Sequence, residues 1–342
     1  MSDRRLPTPP PSRVTLKDVA EAARVSLATA SRVLNGSAQE VREELAERVR
    51  FAAGQLGYKA NLAAQAIARG NSGTVAVVVD DIRDRHSAQM ARGVIEGAAA
   101  AGLVATIAGG RPDSAGQIEA LRDLMGLRPA AVIFAAAATT GEDADQLVNA
   151  LNGFRDAGSG VASIGIHVGD IPSCTLDFNI GARELTAGLA ARGYRRPLLV
   201  GSAATERGGS DITSALREAL AMSAIPAVAE LDVDVTTGIA GGYQAINTLP
   251  NSFLKTVDLI VCADDSLAVG VLSGLRSRNS APIGLTGFHD LVLATDTDPP
   301  LTTVRVPLQD AGEIALSIAL AVSTSTILST KAVGTAEGLG DS

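Results

Sequence analysis

The stretch VTLKDVAEAARVSLATASRVLNG, Val14 to Gly36, constrains the fold more than any other part of the chain. Leu16, Val19, Ala20 and Ala23 recur at i, i+3, i+4 and i+7, which gives one short helix a single apolar face. Asp18 falls in its first turn, where a carboxylate suits the helix dipole. Arg24 and Val25 form a tight connection. Ser26 is then a good N-cap for a second short helix that runs to about Leu34, where Asn35 and Gly36 stop it. In that helix Ala30, Val33 and Leu34 point inward, and Leu27, Ala28, Ser31 and Arg32 lie on the opposite side. Helices this short are unstable alone, so a third must close their core.

The third is EELAERVRFAAGQLGY, Glu43 to Tyr58, with Leu45, Val49, Ala52, Ala53 and Leu56 as its buried stripe and Gly57 as its stop. Such a trio is either a small packing module or a helix-turn-helix that lays its second helix in the major groove of DNA. Residue identity separates the two. The string V-T-L-x-D-V-A-x-x-A-x-V-S-x-x-T-x-S-R-V-L-N-G, with L-G-Y closing the third helix, resembles the headpiece of the lactose-repressor (LacI/GalR) family. The resemblance implies DNA contacts from Thr15, Ser26, Leu27, Ala28, Thr29, Ser31, Arg32, Asn35, Arg42, Tyr58 and Asn61.

Several of those positions depart from the family pattern. Leu27 and Ala28 stand where polar or aromatic groups are common, and can only touch a thymine methyl or leave room, while Arg32 can fork onto guanine O6 and N7. At the start of the third helix Arg42 and Leu45-Ala46 replace the usual Ser and Thr-Arg, so some phosphate contacts are lost and Arg42 is a substitute for one. An unusual half-site is the expectation.

The formal net charge of −8 argues at first against nucleic acid. Residues 1–70, however, hold 11 Lys and Arg against 7 Asp and Glu, a surplus of +4, while the remainder holds 18 against 30, or −12. Positive charge is therefore concentrated at the headpiece, where phosphate contact needs it. With 46 % hydrophobic residues, 3 % aromatic and no Trp, the core must be built from Ala, Val, Leu and Ile. No apolar run is long enough to span a bilayer, and MSDRRLPTPPPSR lacks the apolar centre of a signal peptide, so a cytoplasmic protein is expected. Cys174 and Cys262 sit in strand-like runs and read as buried free thiols.

Residues 1–12 are polar and proline-rich and read as a disordered arm, with a minor-groove role for Arg4 and Arg5 as the alternative. The headpiece is assigned to 13–58. Residues 59–73 form a linker whose middle, Leu62 to Ala68, can be a short helix. In the resembled family this is the hinge helix, and the position of its minor-groove wedge is Ile67, where leucine is usual.

From Thr74 the pattern changes to apolar runs separated by helices, as a parallel sheet covered on both faces requires. One set runs from TVAVVV to VASIGI, and a second begins at SCTLDF and continues through PLLVG, AVAELDV and LIVCA to IGLTGF. The expected fold is thus an all-α helix-turn-helix headpiece plus an α/β core, 74–342, of two doubly wound parallel-sheet lobes. Those lobes are approximately 74–170 with 301–325, and 171–300 with the C-terminal tail. GYRRPLLVG, ADDSLAVG, TGFHD and PPLTTVRVPLQDAG resemble the periplasmic-binding-protein-like core of the same family. The resemblance fades after Val322.

Ligands in such folds bind beyond the carboxyl ends of the strands, here between the lobes. The candidate effector residues are Asp84, His86, Arg207, Asp211, Asp264, Phe288, His289 and Asp290. Asp211 stands where the family usually has an arginine, with Arg207 as a possible substitute, and Asp264 replaces an asparagine by an acceptor-only group. Phe288 is among the few aromatics left to stack on a sugar. Two readings remain open: an altered, more acidic pocket for a polyol-rich or cationic ligand, or a cleft that binds nothing and serves dimerisation. His289 is either a ligand contact or a loop histidine in solvent. The three histidines, His86, His167 and His289, are too scattered in sequence to claim a site, and neither a metal site nor a cofactor is expected.

No G-x-x-x-x-G-K-[ST], G-x-S-x-G, H-E-x-x-H or strand-linked G-x-G-x-x-G is present, so an enzyme is not expected. The resemblance implies a transcriptional regulator, a repressor in the first instance, that binds a pseudo-palindromic double-stranded DNA operator as a homodimer and responds to a small-molecule effector, commonly a sugar. An effector-independent regulator and a small-molecule-binding protein with a vestigial headpiece are the rival readings.

Overall fold

The computed structural model describes residues 14–34, 41–58, 72–109, 114–136, 142–201, 212–233, 238–280, 282–321 and 326–333. The chain divides into two compact units, Met1–Gly73 and Thr74–Ser342.

In the first unit α1 (Leu16–Ala23), α2 (Leu27–Leu34) and α3 (Glu43–Leu56) pack around Val19, Ala20, Ala23, Ala30, Val33, Ala46, Val49, Ala52 and Ala53. A reciprocal capping box starts α1: Thr15 Oγ1 accepts from the Asp18 amide, and Asp18 accepts from the Thr15 amide at 2.7 Å. Arg24, at φ 52°, ends it in the left-handed region. Ser26 opens α2 as its sequence suggests, its Oγ accepting from the Thr29 amide at 3.0 Å. Arg48 reaches back from α3 to the carbonyls of Ala23 and Arg24, satisfying acceptors that the end of α1 leaves over. The buried stripe of α3 differs from expectation in two places. Ala46 is fully buried where Leu45 is only half-buried, and Leu56 is 38 % exposed, because the stripe turns away from it in the last turn.

In the second unit six parallel strands form one sheet in the order β11-β5-β4-β3-β1-β2: β1 (Thr74–Val79), β2 (Val104–Gly109), β3 (Ala131–Ala135), β4 (Gly160–Ile164), β5 (Ser173–Asp177) and β11 (Thr326–Ser329). Alternation along the strands sorts their side chains. Val75, Val77 and Val79 share a cluster with α4 (Arg85–Ala100) and α13 (Leu308–Ala321), and Ala76 and Val78 share another with α5 (Ser114–Met125) and α6 (Glu142–Asp156). Both faces are therefore covered, as parallel sheets require. The crossing of α4 over α13 is so close that a Cβ on Gly93 would lie 1.9 Å from the Gln309 carbonyl oxygen.

A four-stranded parallel sheet, β7-β6-β8-β9, makes the second lobe from β6 (Pro197–Gly201), β7 (Ala229–Asp232), β8 (Leu259–Cys262) and β9 (Gly284–Thr286). Its helices are α7 (Asn179–Ala191), α8 (Ile212–Met222), α9 (Gly238–Thr248), α10 (Asn251–Leu254), α11 (Asp265–Ser277) and α12 (Val292–Thr295). β10 (Thr303–Arg305) runs beside the end of β9 through the Thr286–Thr302 and His289–Arg305 bridges, and pairs antiparallel with β12 (Lys331–Val333).

Two expectations are corrected here. SCTLDF does not begin the second lobe; it is β5 of the first sheet, joined to β4 by a short connection without a helix, so an apolar run alone could not assign it. The tail, expected with the second lobe, contributes β11 to the first sheet beside β5 and only β12 to the second lobe. Thr330 lies at the passage between them, its Oγ1 accepting from the Gly181 amide and donating to the Asp177 carbonyl. Cys174 and Cys262 are free and fully buried, as read from their runs.

Candidate functional site

Two surfaces carry the candidate residues. On the first unit, α2 turns Ala30 and Val33 into the core and leaves Leu27, Ala28 and Arg32 exposed. Leu27 is 52 % exposed, an apolar side chain kept in water on the one helix face free for contact. Ser26 and Thr29 are engaged with each other, Oγ to Oγ1 at 2.8 Å, and Thr15 is held in the capping box, so these three shape the helix starts. Ser31 is half-buried, Arg42 stands exposed at the start of α3, and Tyr58 packs against the headpiece core. Asn35, Asn61 and Ile67, with Arg4 and Arg5, lie outside the described residues.

The second surface lies where strand ends of both lobes meet. His86 stands in the first turn of α4, just beyond β1 of the first lobe; Asp264 follows β8, and His289 follows β9, in the second. The two imidazole rings lie 3.8 Å apart between centroids, tilted by 48°. Asp264 is 2 % exposed and caps α11, its Oδ1 accepting from the amides of Ser266 at 2.6 Å and Leu267 at 3.3 Å. Its Oδ2 faces the histidines, 3.0 Å from His86 Nε2 and 3.2 Å from His289 Nδ1. Neither approach has the directionality of a hydrogen bond, and all three atoms are buried without such a partner.

The surroundings fix these groups in place. Asp84 caps α4 by accepting from the Ser87 amide at 2.8 Å, and its Oδ1 lies 3.1 Å from His86 Nδ1. His289 holds φ 106°, tied by its amide to the Val304 carbonyl at 2.8 Å, while Asp290 accepts from Arg305 Nε at 2.7 Å. Burial alone would lower the His86 pKa, but the Asp264 carboxylate and then Asp84 outweigh it and raise it to about 10. Burial, and then the charge of His86, push His289 down. Desolvation acts against ionised Asp264, yet the two imidazoles hold its carboxyl far below the usual range. His86 is thus the cation of the pair and His289 the neutral ring.

Several expectations change. His86 and His289, too distant in sequence to be linked, are neighbours, and His289 is buried rather than a loop side chain in solvent. His167 stays apart, 3.1 Å from Ser173 Oγ. Phe288 is fully buried, edge-on to Phe178 and to His289, so it backs the histidine and offers no stacking face. Arg207 and Asp211 lie outside the described residues. The reading missed Asp265, which is fully buried and accepts from Thr303 Oγ1 at 2.6 Å and from the Leu291 amide at 2.7 Å. The Asp264-Asp265 doublet at a helix start was the available signal, since one carboxylate suffices for a cap.

Comparison with known proteins finds likenesses over both units of the chain. Residues 15–61 match the model of bacterial regulatory proteins of the lacI family, and residues 186–331 match a periplasmic binding protein-like domain. Catabolite control protein A of Staphylococcus aureus is 27 % identical over 308 residues, covering 89 % of this chain and 91 % of the relative. The corresponding protein of Staphylococcus xylosus is 26 % identical over 316 residues, covering 89 % and 91 %. Among solved structures, a lac repressor dimer bound to operator and an anti-inducer superposes with a TM-score of 0.80 at 21 % identity, covering 96 % of this chain and all of that one. A complex of the transcriptional regulator CelR with cellobiose superposes at 0.64 with 23 % identity, covering 94 % and 99 %.

Proposed function

Because this chain is a member of the lacI family of bacterial regulatory proteins, a DNA-binding transcriptional regulator, we propose that it acts as a cytoplasmic repressor working as a homodimer. In this reading residues 13–58 are the headpiece, 59–73 the hinge and 74–342 the core that dimerises and binds an effector. Two headpieces read the half-sites of a pseudo-palindromic operator, because a two-fold protein calls for two-fold DNA. The observation that carries the reading is the exposed face of α2, Leu27, Ala28 and Arg32, presented opposite a fully packed inner face. A lac repressor structure holding operator as a dimer supports the assembly.

The cleft supports an effector of small, polar chemistry. Asp264 and the two histidines form an organised, tightly tethered cluster at the strand ends, where such folds take their ligands. CelR, which carries cellobiose in its structure, makes a sugar the first class to try. Ligand that closes the cleft couples to operator affinity, and the coupling is reciprocal.

The test is binding of the purified protein to its own upstream DNA across a salt titration, with Arg32→Ala beside it. Specific, salt-sensitive binding that weakens in the variant supports the reading. Wild-type protein that binds this DNA no better than unrelated DNA overturns it. A thermal-shift screen of sugars and polyols then addresses the effector, since a true ligand stabilises by RT ln(1 + [L]/Kd).

A further inference from the structure

We propose that the cleft binds a divalent transition-metal ion, with zinc as its best occupant, through His86 Nε2, Asp264 Oδ2 and His289 Nδ1, so that the ion ties the first lobe to the second. Each of these residues offers one ligand atom, and the three atoms lie within 4.8 Å of one another. Their N···O separations of 3.0 and 3.2 Å approach the edge of roughly 3.3 Å that follows from tetrahedral bonds of about 2.0–2.1 Å to zinc. All three atoms are buried and lack a directional hydrogen-bond partner, although buried polar atoms are ordinarily paired. Three potential ligand atoms converging on one point describe a place for a cation, and a metal bound there displaces the proton that His86 otherwise carries.

The next shell of residues is arranged as metal sites require. His86 Nδ1 faces the Asp84 carboxylate at 3.1 Å, which keeps the remaining proton on Nδ1 once a metal displaces the one on Nε2; carboxylate–histidine–metal relays are built this way. The other oxygen of Asp264 is held by two amides of α11, so the carboxylate presents a single oxygen in a fixed direction. His289 is locked by the Val304 hydrogen bond and by the Phe288 ring set edge-on to it. Two imidazoles and one carboxylate suit zinc, cobalt or nickel; magnesium and calcium prefer all-oxygen sets. Three protein ligands leave a fourth position for water or for a ligand oxygen. His86 belongs to the first lobe and the other two to the second, so occupancy stabilises the closed arrangement of the core.

The experiment is equilibrium dialysis of the full chain, stripped with chelator, against zinc, with cobalt as the spectroscopic probe and magnesium as the control. Wild type is expected to take up one zinc per chain, to show the visible absorption of low-symmetry cobalt, and to melt at a higher temperature with zinc than without. His86→Ala abolishes uptake. Asp264→Asn, which keeps an oxygen for the α11 cap, abolishes it as well, and circular dichroism verifies that both variants are folded. Asp84→Asn weakens affinity by about 10–100-fold, the range of outer-shell substitutions. Absence of stoichiometric zinc uptake by wild type, or uptake undiminished in both His86→Ala and Asp264→Asn, overturns the proposal. Metal affinity is read without DNA, so its failure and a failure of operator binding are separate results.

Discussion

Thr303 Oγ1 donates a 2.6 Å hydrogen bond to Oδ1 of Asp265, joining β10, the strand through which the chain leaves the second lobe for α13, to the opening turn of α11. Both side chains are buried, so no water replaces the bond once it is cut. Thr303→Val keeps the shape and removes the donor. The expected cost is about 1–3 kcal/mol, the penalty of leaving a buried acceptor unpaired. Thr303→Ser retains the hydroxyl and stays close to wild type. Urea unfolding of the two variants side by side checks the contrast.

Gly93 and Gly54 provide a matched pair with opposite signs. A methyl at Gly93 collides with the Gln309 backbone where α4 crosses α13, and Gly93→Ala is expected to destabilise by about 1–3 kcal/mol, as overpacking does. Gly54, inside α3, has open space where a Cβ would go. Gly54→Ala is expected to stabilise the headpiece by about 0.5–1 kcal/mol through helix propensity. Hydrogen exchange on the full chain reads each effect in its own unit.

Arg32 and Ser26 separate base reading from helix positioning. Arg32→Ala is expected to cost about 1–3 kcal/mol on the preferred operator and to relax the preference at one base pair. Ser26→Ala removes the oxygen that receives the Thr29 amide, which costs about 1 kcal/mol of helix stability and weakens binding to all operator variants alike. Selection of bound sequences from a random pool, followed by titration, distinguishes the two patterns.

The two thiols titrate late. Burial pushes Cys174 up to about 11, and Cys262 is raised well above its ordinary value by burial and then by Asp264 and Asp265. A disulfide reagent at pH 8 is expected to leave both untouched in folded protein and to find both after denaturation. Unfolded thiols ionise near 8.5, roughly, whereas folded Cys174 does so only at about 11. The native state therefore binds more protons between those values, and stability falls as pH rises through that window. Replacing Cys174 by Ala removes its share of that slope.

The headpiece was the most legible part because everything that makes it is local. Ser26 and Gly57 mark helix ends by their own chemistry, and the 3.6-residue period places Val19, Ala30 and Val49 inside, whereas Thr15, read as a DNA contact, is the N-cap of α1. The core strands were legible as strands but not always as members of a lobe. β5 has the same apolar character as its neighbours, and only the missing helix between β4 and β5 hints that it stays in the first sheet. The cleft was least legible, because it is assembled from loops after β1, β8 and β9. His86 and His289 look isolated in sequence because their contact depends on two lobes facing each other. Phe288 was expected in the cleft as one of the few aromatics left there to stack on a sugar, yet successive residues beyond a strand point to opposite sides, and its ring turns into the core.

The placement of β11 and α13 sets an order of events during synthesis. The second lobe's parallel sheet is built from an unbroken run, β6 to β9, and has all four of its strands once that run has left the ribosome. The first lobe begins earlier in sequence but must wait: α13 covers part of one of its faces and β11 is its edge, and both follow β1 to β10 in the chain. Nascent chains that stop before Leu308 therefore leave uncovered the face of β3, β4 and β5 against which α13 packs, an apolar surface that chaperones and proteases recognise. Completion of the first lobe thus serves as a length check, and only chains translated through β11 reach a core with that face sealed.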